Sequence, residues 1–174
     1  MVRHLFLTGE RGVGKSTLIK KLMEQAEGPV GGFFTVKSEK VFPGKSSLHL
    51  LSLEAPLIPS ASNFLAFCGE PDKQTAKRFD RQGPAALLAV KNPGLLVMDE
   101  LGPHESEARL FWDAVFRTLD GSVPVLGVLQ KSESSFLERV RSHPQVEVLE
   151  VTRENRDGLA GCGKLVLAVP DGSL

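Results

Sequence analysis

Leu5-Phe6-Leu7-Thr8-Gly9-Glu10-Arg11-Gly12-Val13-Gly14-Lys15-Ser16-Thr17 is the stretch whose reading decides the fold. Val2 to Thr8 is a short apolar run ended by glycine, and from Lys15 to Ala26 the residues Leu18, Ile19, Leu22 and Met23 recur at helical spacing. Strand, glycine loop and helix follow one another directly. Gly9 to Ser16 fits the spacing G-x-x-x-x-G-K-S/T, in which glycines let consecutive backbone N–H groups turn inward around phosphate oxygens. The helix that opens at Lys15 adds a dipole whose positive end favours an anion.

This P-loop spacing assigns a nucleotide-binding role to the backbone from Gly9 through Thr17, with Glu10, Arg11, Gly12, Val13 and Gly14 forming the turn. Lys15 is expected to reach the β- and γ-phosphates and Ser16 to ligate Mg²⁺. A second element is needed to complete such a site. Leu95-Leu96-Val97-Met98 is a wholly apolar run of the kind buried on both faces of a parallel sheet, and Asp99-Glu100 ends it. A carboxylate at the carboxyl end of a neighbouring strand can hold the Mg²⁺ shell opposite the serine, which is the expected role of Asp99. Alternation along the strand turns Glu100 the other way, toward an in-line water, as water-positioning group or general base.

The remaining chain alternates strand and helix. Val30 to Phe42 and Ser47 to Leu53 read as a β-hairpin around Pro43-Gly44-Lys45-Ser46. Glu54 to Gly83 carries Pro56, Pro59, Gly69 and Pro71 and few periodic apolar positions, so it is expected to be an irregular excursion. A short helix over Pro84 to Lys91, a helix over Glu105 to Leu119 and a strand over Val123 to Leu129 follow. Ser134 to Val140 reads as a helix, Val146 to Val151 as a strand, Arg153 to Leu159 as a helix and Leu165 to Val169 as a last strand. The pattern predicts an α/β, three-layer P-loop NTPase sandwich in one domain over residues 1–174, its mostly parallel sheet interrupted by an excursion at about 37–83.

Composition narrows the function classes. Lys plus Arg and Asp plus Glu both number 21, so no global basic field draws the chain onto nucleic acid. No apolar run approaches the roughly 20 residues that span a bilayer, and the N-terminus lacks the pattern of a signal peptide. Cys68 and Cys162 stand far apart without a metal-binding spacing. A cytoplasmic protein with reduced thiols is the expectation.

Several blocks together resemble one family: Leu5 to Gly9 entering the loop, Gly31-Gly32-Phe33-Phe34-Thr35, Val97-Met98-Asp99-Glu100-Leu101-Gly102, Leu126-Gly127, and Val151-Thr152-Arg153-Glu154-Asn155-Arg156-Asp157. They are similar to the small nucleoside-triphosphatases of the THEP-type, also called cancer-related nucleoside-triphosphatases. The resemblance spans most of the chain in order. It implies a RecA-like or kinase-like core that hydrolyses several nucleoside triphosphates, ATP and GTP among them, slowly and with Mg²⁺.

Other residues carry two readings each. Asn155 and Arg156 follow a strand at the carboxyl edge of the sheet, where loops contact base or ribose, and Asn155 could equally belong to a helix cap around Thr152. Arg78 and Arg81 could approach a γ-phosphate or be solvated. His104 could be a proton shuttle or a loop histidine in solvent. Phe111 and Trp112 read as core. For the whole chain, triphosphate hydrolysis leads; a nucleoside or nucleotide kinase whose excursion binds the acceptor, and a nucleotide-dependent switch, are the alternatives. Lys15→Ala is expected to abolish tight triphosphate binding, because neighbouring N–H groups cannot replace its charge-assisted contacts. Unchanged affinity by calorimetry would count against the phosphate loop.

Overall fold

In a computed structural model, which describes residues 3–103 and 107–161, all named strands join one seven-stranded sheet. The strands are β1 (His4–Thr8), β2 (Val30–Phe42), β3 (Lys45–Ser52), β4 (Phe64–Phe67), β5 (Leu95–Leu101), β6 (Val125–Leu129) and β7 (Val146–Glu150). Their order across the sheet is β4-β3-β2-β5-β6-β1-β7. Pairings from β2 through β5, β6 and β1 to β7 are parallel, and β3 runs antiparallel to both of its neighbours.

Helices cover both faces, as buried parallel strands require. α1 (Lys15–Met23) and α5 (Arg156–Gly161) lie on one side, where Leu18 and Ile19 pack with Leu5, Leu7, Val97 and Val128. On the other side α2 (Thr75–Leu88), α3 (Arg109–Asp120) and α4 (Ser135–Arg141) pack with Phe6, Phe33 and Met98. Phe111 is the hub of that layer, its ring 5.7 Å from both Phe33 and Phe79 and 6.3 Å from Phe136. Phe111, Val115 and Leu119 are buried at fourfold spacing, as the α3 stripe predicts, whereas Trp112 is half-buried and stacks on Phe136. Gly32 lies so close to Val97 that a Cβ would collide with its carbonyl oxygen. That close approach explains a glycine inside β2.

Three expectations change. Glu54 to Gly83 is not irregular throughout: a 3₁₀ turn at Ala61–Asn63 leads into β4, and α2 begins at Thr75 rather than at Pro84. The inward face of α2 is Thr75, Phe79, Gly83, Ala86 and Leu87. Its helical spacing is hidden in sequence because two of those residues are not large apolar ones, and Pro84 sits inside the helix. β5 also is not the direct neighbour of β1, since β6 lies between them. The hairpin turn is shorter than expected, with Phe42 opposite Lys45 and Gly44 at φ 74°. The expected strand at Leu165–Val169 and Cys162 lie outside the described residues, as does the expected start of α3 at Glu105.

His4 ties β1 to β6 and to α3. The Val125 N–H donates to its Nδ1 at 3.1 Å, and its Nε2 lies 2.9 Å from the Leu119 carbonyl, so the neutral ring carries its proton on Nε2. Burial pushes the ring below 6.5, aided by His143 and Arg3 and opposed by the Leu119 contact. The folded chain therefore binds a proton less readily than the unfolded one, and this contribution is present above pH 6.5 and lost as the pH falls below it. Denaturant unfolding should show wild type losing stability relative to His4→Gln between pH 7.5 and 5. A constant difference would exclude the titration of His4 as the cause.

Candidate active site

The phosphate loop leaves β1 at Gly9, whose φ of 148° is denied to other residues and whose added Cβ would stand 2.5 Å from the Val151 carbonyl oxygen. The turn closes on Gly14, at φ 109°, from which α1 starts. Lys15 Nζ donates to the carbonyls of Gly9 at 2.7 Å and Glu10 at 2.8 Å. The loop's cationic group is thus held over its own first turn.

Asp99 is 3 % exposed. Ser16 is within hydrogen-bonding reach of its carboxyl, and Asp99 Oδ2 is buried with no hydrogen-bond partner among the described residues. Burial raises the carboxyl from 3.8 to about 6, with Glu100 adding to the rise and Ser16, Lys15 and Lys20 opposing it. An orphaned, buried carboxylate oxygen beside a serine hydroxyl is an oxygen-donor pair suited to a hard divalent cation such as Mg²⁺. The residues present fit that ion, although no cluster of three or more His, Cys, Asp or Glu side chains with metal-binding spacing occurs among the described residues.

Glu100 stands at the wall of a cleft of about 400 Å³ that also receives Gly9, Glu10, Arg11 and Lys15. Its Oε1 accepts a hydrogen bond from Gln130 Nε2, and its backbone N–H donates to Thr35 Oγ1 at 3.1 Å. Gln130 is at the end of β6, the strand inserted between β5 and β1. Arg141 supports that end by donating to the Gln130 carbonyl at 2.9 Å. Lys131 follows, paired with Glu10 at 3.3 Å and with Glu150. Gln130 and Lys131 were not singled out from sequence. A polar residue directly after the apolar run Val125–Leu129 was the available signal, because it occupies the same sheet edge as Asp99 and Glu100.

The remaining sequence candidates separate. Arg156 donates to the Val13 carbonyl at 3.2 Å and lies against Gly14, so it is brought to the loop. Asn155 uses both ends of its amide locally: Oδ1 accepts from Thr152 N–H and Nδ2 donates to the Glu150 carbonyl, each at 2.8 Å. That is the capping arrangement. Arg78 is held by Asp72 at 3.0 Å and by the Leu65 carbonyl at 3.1 Å, and stacks over Phe64, outside the cleft wall. Arg81 is exposed on α2, and His104 lies outside the described residues.

The loop, the carboxylates at the sheet's carboxyl edge and the layered sheet define a P-loop NTPase. The solved structure of THEP1 from Aquifex aeolicus superposes with a TM-score of 0.71 over 91 % of this chain and 95 % of that one, at 22 % identity. The solution structure of a human cancer-related nucleoside triphosphatase gives 0.66 over 99 % and 100 %, at 26 % identity. The family model described as NTPase matches residues 4–53 and 66–162. Among curated relatives, the mouse cancer-related nucleoside-triphosphatase homolog is 32 % identical over 91 % of this chain and 93 % of its own length. The nucleoside-triphosphatase THEP1 of Thermotoga petrophila is 31 % identical over 89 % and 87 %. The chain belongs to this NTPase family. No described helix is long and apolar enough to cross a membrane.

Because folded Asp99 holds its proton up to about pH 6 against 3.8 unfolded, its contribution to stability is complete below 3.8 and is lost as the pH rises through about 6. In metal-free buffer Asp99→Asn should therefore gain on wild type between pH 4 and 7, by up to roughly 3 kcal/mol for a shift of about 2 units. Parallel stability profiles in denaturant titrations would refute the buried-carboxylate reading.

Proposed function

We propose that the chain hydrolyses nucleoside triphosphates to the diphosphate and phosphate, with Mg²⁺ and with little discrimination between bases, as one P-loop domain. Its relatives carry the name nucleoside-triphosphatase, which supports hydrolysis as the general activity. The observation that carries the finer reading is the division of labour between adjacent carboxylates: Asp99 is buried beside Ser16 with one oxygen unpartnered, and Glu100 opens onto the cleft beside Lys15.

In this reading the backbone N–H groups from Gly9 to Thr17 cradle the phosphates, and Lys15 neutralises charge at the β- and γ-oxygens. Ser16 and Asp99 would hold Mg²⁺, which when bound supplies positive charge to the phosphate oxygens. Glu100 orients the attacking water and takes up its proton at a carboxylate oxygen. Gln130 holds one oxygen of Glu100, which restricts the carboxylate to one orientation and leaves the other oxygen for water. Arg156, fixed against Val13 and Gly14, is the candidate contact for the nucleoside end. The capping role of Asn155 leaves it a structural part in that contact. The single seven-stranded sheet supports the one-domain reading.

Phosphate release measured with each of ATP, GTP, CTP and UTP, with and without Mg²⁺, tests the activity: release with several triphosphates and only with the metal is expected, and none with any would refute it. Glu100→Gln should retain nucleotide binding and lower the hydrolysis rate by about 10²–10⁴-fold, the usual worth of a general base. Wild-type turnover in that variant would make Glu100 a structural partner of Gln130. Gln130→Ala should lower kcat with little change in KM, since it acts on the orientation of Glu100 rather than on the ligand.

A further inference from the structure

Strand order places whatever follows β6 between the two halves of the site. β6 lies between β5, which carries Asp99 and Glu100 near its carboxyl end, and β1, from which the phosphate loop leaves. Gln130, the first residue after β6, holds Glu100. Lys131 is the next, and it lines the cleft together with Lys15 and Glu100. A phosphate-loop lysine reaches the β- and γ-phosphates, and the base serves a water in line with the γ-phosphorus. A further cation on the wall shared by these two groups is therefore set beside the γ-phosphoryl group.

Lys131 is also held in place. Arg141 Nη2 donates to the Gln130 carbonyl at 2.9 Å and to the Ser132 carbonyl at 3.5 Å, which grips the backbone on both sides of the lysine. The Gln130 N–H donates to the Leu101 carbonyl at 3.0 Å and ties the same segment to β5. At the other end of the side chain, Nζ donates to Glu10 Oε1 at 3.3 Å and to Glu150 Oε1. An ammonium has three donors. The two carboxylates take two of them and leave the third for a ligand in the cleft. The same carboxylates, Glu150 first, raise its pKa above the usual 10.5, so the charge is present at any working pH. Stability does not account for the arrangement, because the side chains of Lys131, Glu10 and Glu150 are 43 %, 84 % and 56 % exposed and exposed ion pairs contribute little. Arg11 and Lys37 line the cleft too, but both are exposed and neither has a side-chain partner among the described residues to fix it.

Resting on the hydrolase reading of the phosphate loop, we propose that Lys131 is a catalytic residue, whose third N–H donates to a γ-phosphoryl oxygen and strengthens that contact in the transition state. The water oxygen bonds to the γ-phosphorus as the bond to the β–γ bridging oxygen breaks. Glu100 takes the water's proton, and the electron pair of the broken bond leaves on the diphosphate. Charge spreads over the equatorial γ-oxygens as this happens. Lys15 meets it from the phosphate loop and Lys131 from the end of β6. Glu10 and Glu150 are positioning residues, which keep the ammonium preorganised before the charge develops.

The test compares wild type with Lys131→Met, which removes the charge, and Lys131→Arg, which keeps it. Phosphate release gives kcat and KM, and calorimetry gives the affinity for Mg-ADP alone and for Mg-ADP with aluminium fluoride, a mimic of the transferring phosphoryl group. Lys131→Met should lower kcat by about 10²–10³-fold, the usual worth of one preorganised donor, with KM and Mg-ADP affinity close to wild type. The tightening of ADP binding by aluminium fluoride should be lost in the same variant, and Lys131→Arg should stay within about tenfold of wild-type kcat. Wild-type kcat in Lys131→Met would overturn the proposal. Equal losses of affinity for Mg-ADP with and without the fluoride would also overturn it and reduce Lys131 to a strap that shapes the loop through Glu10. Either result leaves hydrolysis by wild type standing, whereas wild type that releases no phosphate from any triphosphate would overturn the hydrolase reading and this role with it.

Discussion

Asp99 sits at the carboxyl end of β5 at 3 % exposure, with one carboxylate oxygen unpaired. Burial of a charge without a partner is among the most unfavourable things a fold can contain, and here it raises the carboxyl to about 6. The only described side chain set against it for hydrogen bonding is Ser16, at the start of α1. The two groups come from strand-helix units separated by β6, so the sheet order has to be correct before they meet. Fold and site are in this sense one constraint. Close packing of Gly9 on Val151 and of Gly32 on Val97 keeps the sheet edge in register around that pair.

The same edge distributes chemistry by local backbone register and by strand order. Asp99 turns inward and Glu100 opens to the cleft, at a point where the pairing of β5 with β6 shifts register between Asp99 and Leu101. The inserted β6 then delivers Gln130 to Glu100 and Lys131 to Glu10 and Glu150. Arg141, reaching from the end of α4 to the Gln130 carbonyl, anchors that corner to the outer helical layer. A site with its groups on strand ends is held by the core itself, with little dependence on mobile loops. β3 and β4 widen the sheet on the far side and give the cleft a second wall.

How much of this was legible in the chain follows from which signals are local. Gly9 to Thr17 was readable because phosphate binding by a backbone turn needs glycines, a lysine and a hydroxyl at fixed spacing, and all lie within one segment. Leu95 to Met98 was readable because a run buried on both faces is continuously apolar, and the acidic pair after it marked the site, although the strand runs on through that pair to Leu101. The pattern of alternating strands and helices, and the family blocks along it, likewise fixed the α/β class without coordinates. β4 and the first half of α2 were not readable. Phe64–Phe67 is short and surrounded by prolines, and the buried side of α2 includes Thr75 and Gly83, so neither carries a clear hydrophobic period.

Tertiary structure alone decided what depends on neighbours distant in sequence. Strand order placed β6 between β1 and β5, and with it Gln130 against a glutamate 30 positions earlier. It also separated Arg156, which reaches Val13, from Asn155, which spends its amide on Thr152 and Glu150. Whether a polar side chain is free for a ligand or consumed by the backbone is a matter of hydrogen-bond supply at one point in space, and one-dimensional spacing does not encode it. The sequence by itself determined the phosphate loop and the acidic pair, because their physics is contained in a few consecutive residues. The fold decided the partners of Glu100, the exposure of Asp99 and the shape of the cleft, because burial and register are properties of strands brought together from across the chain.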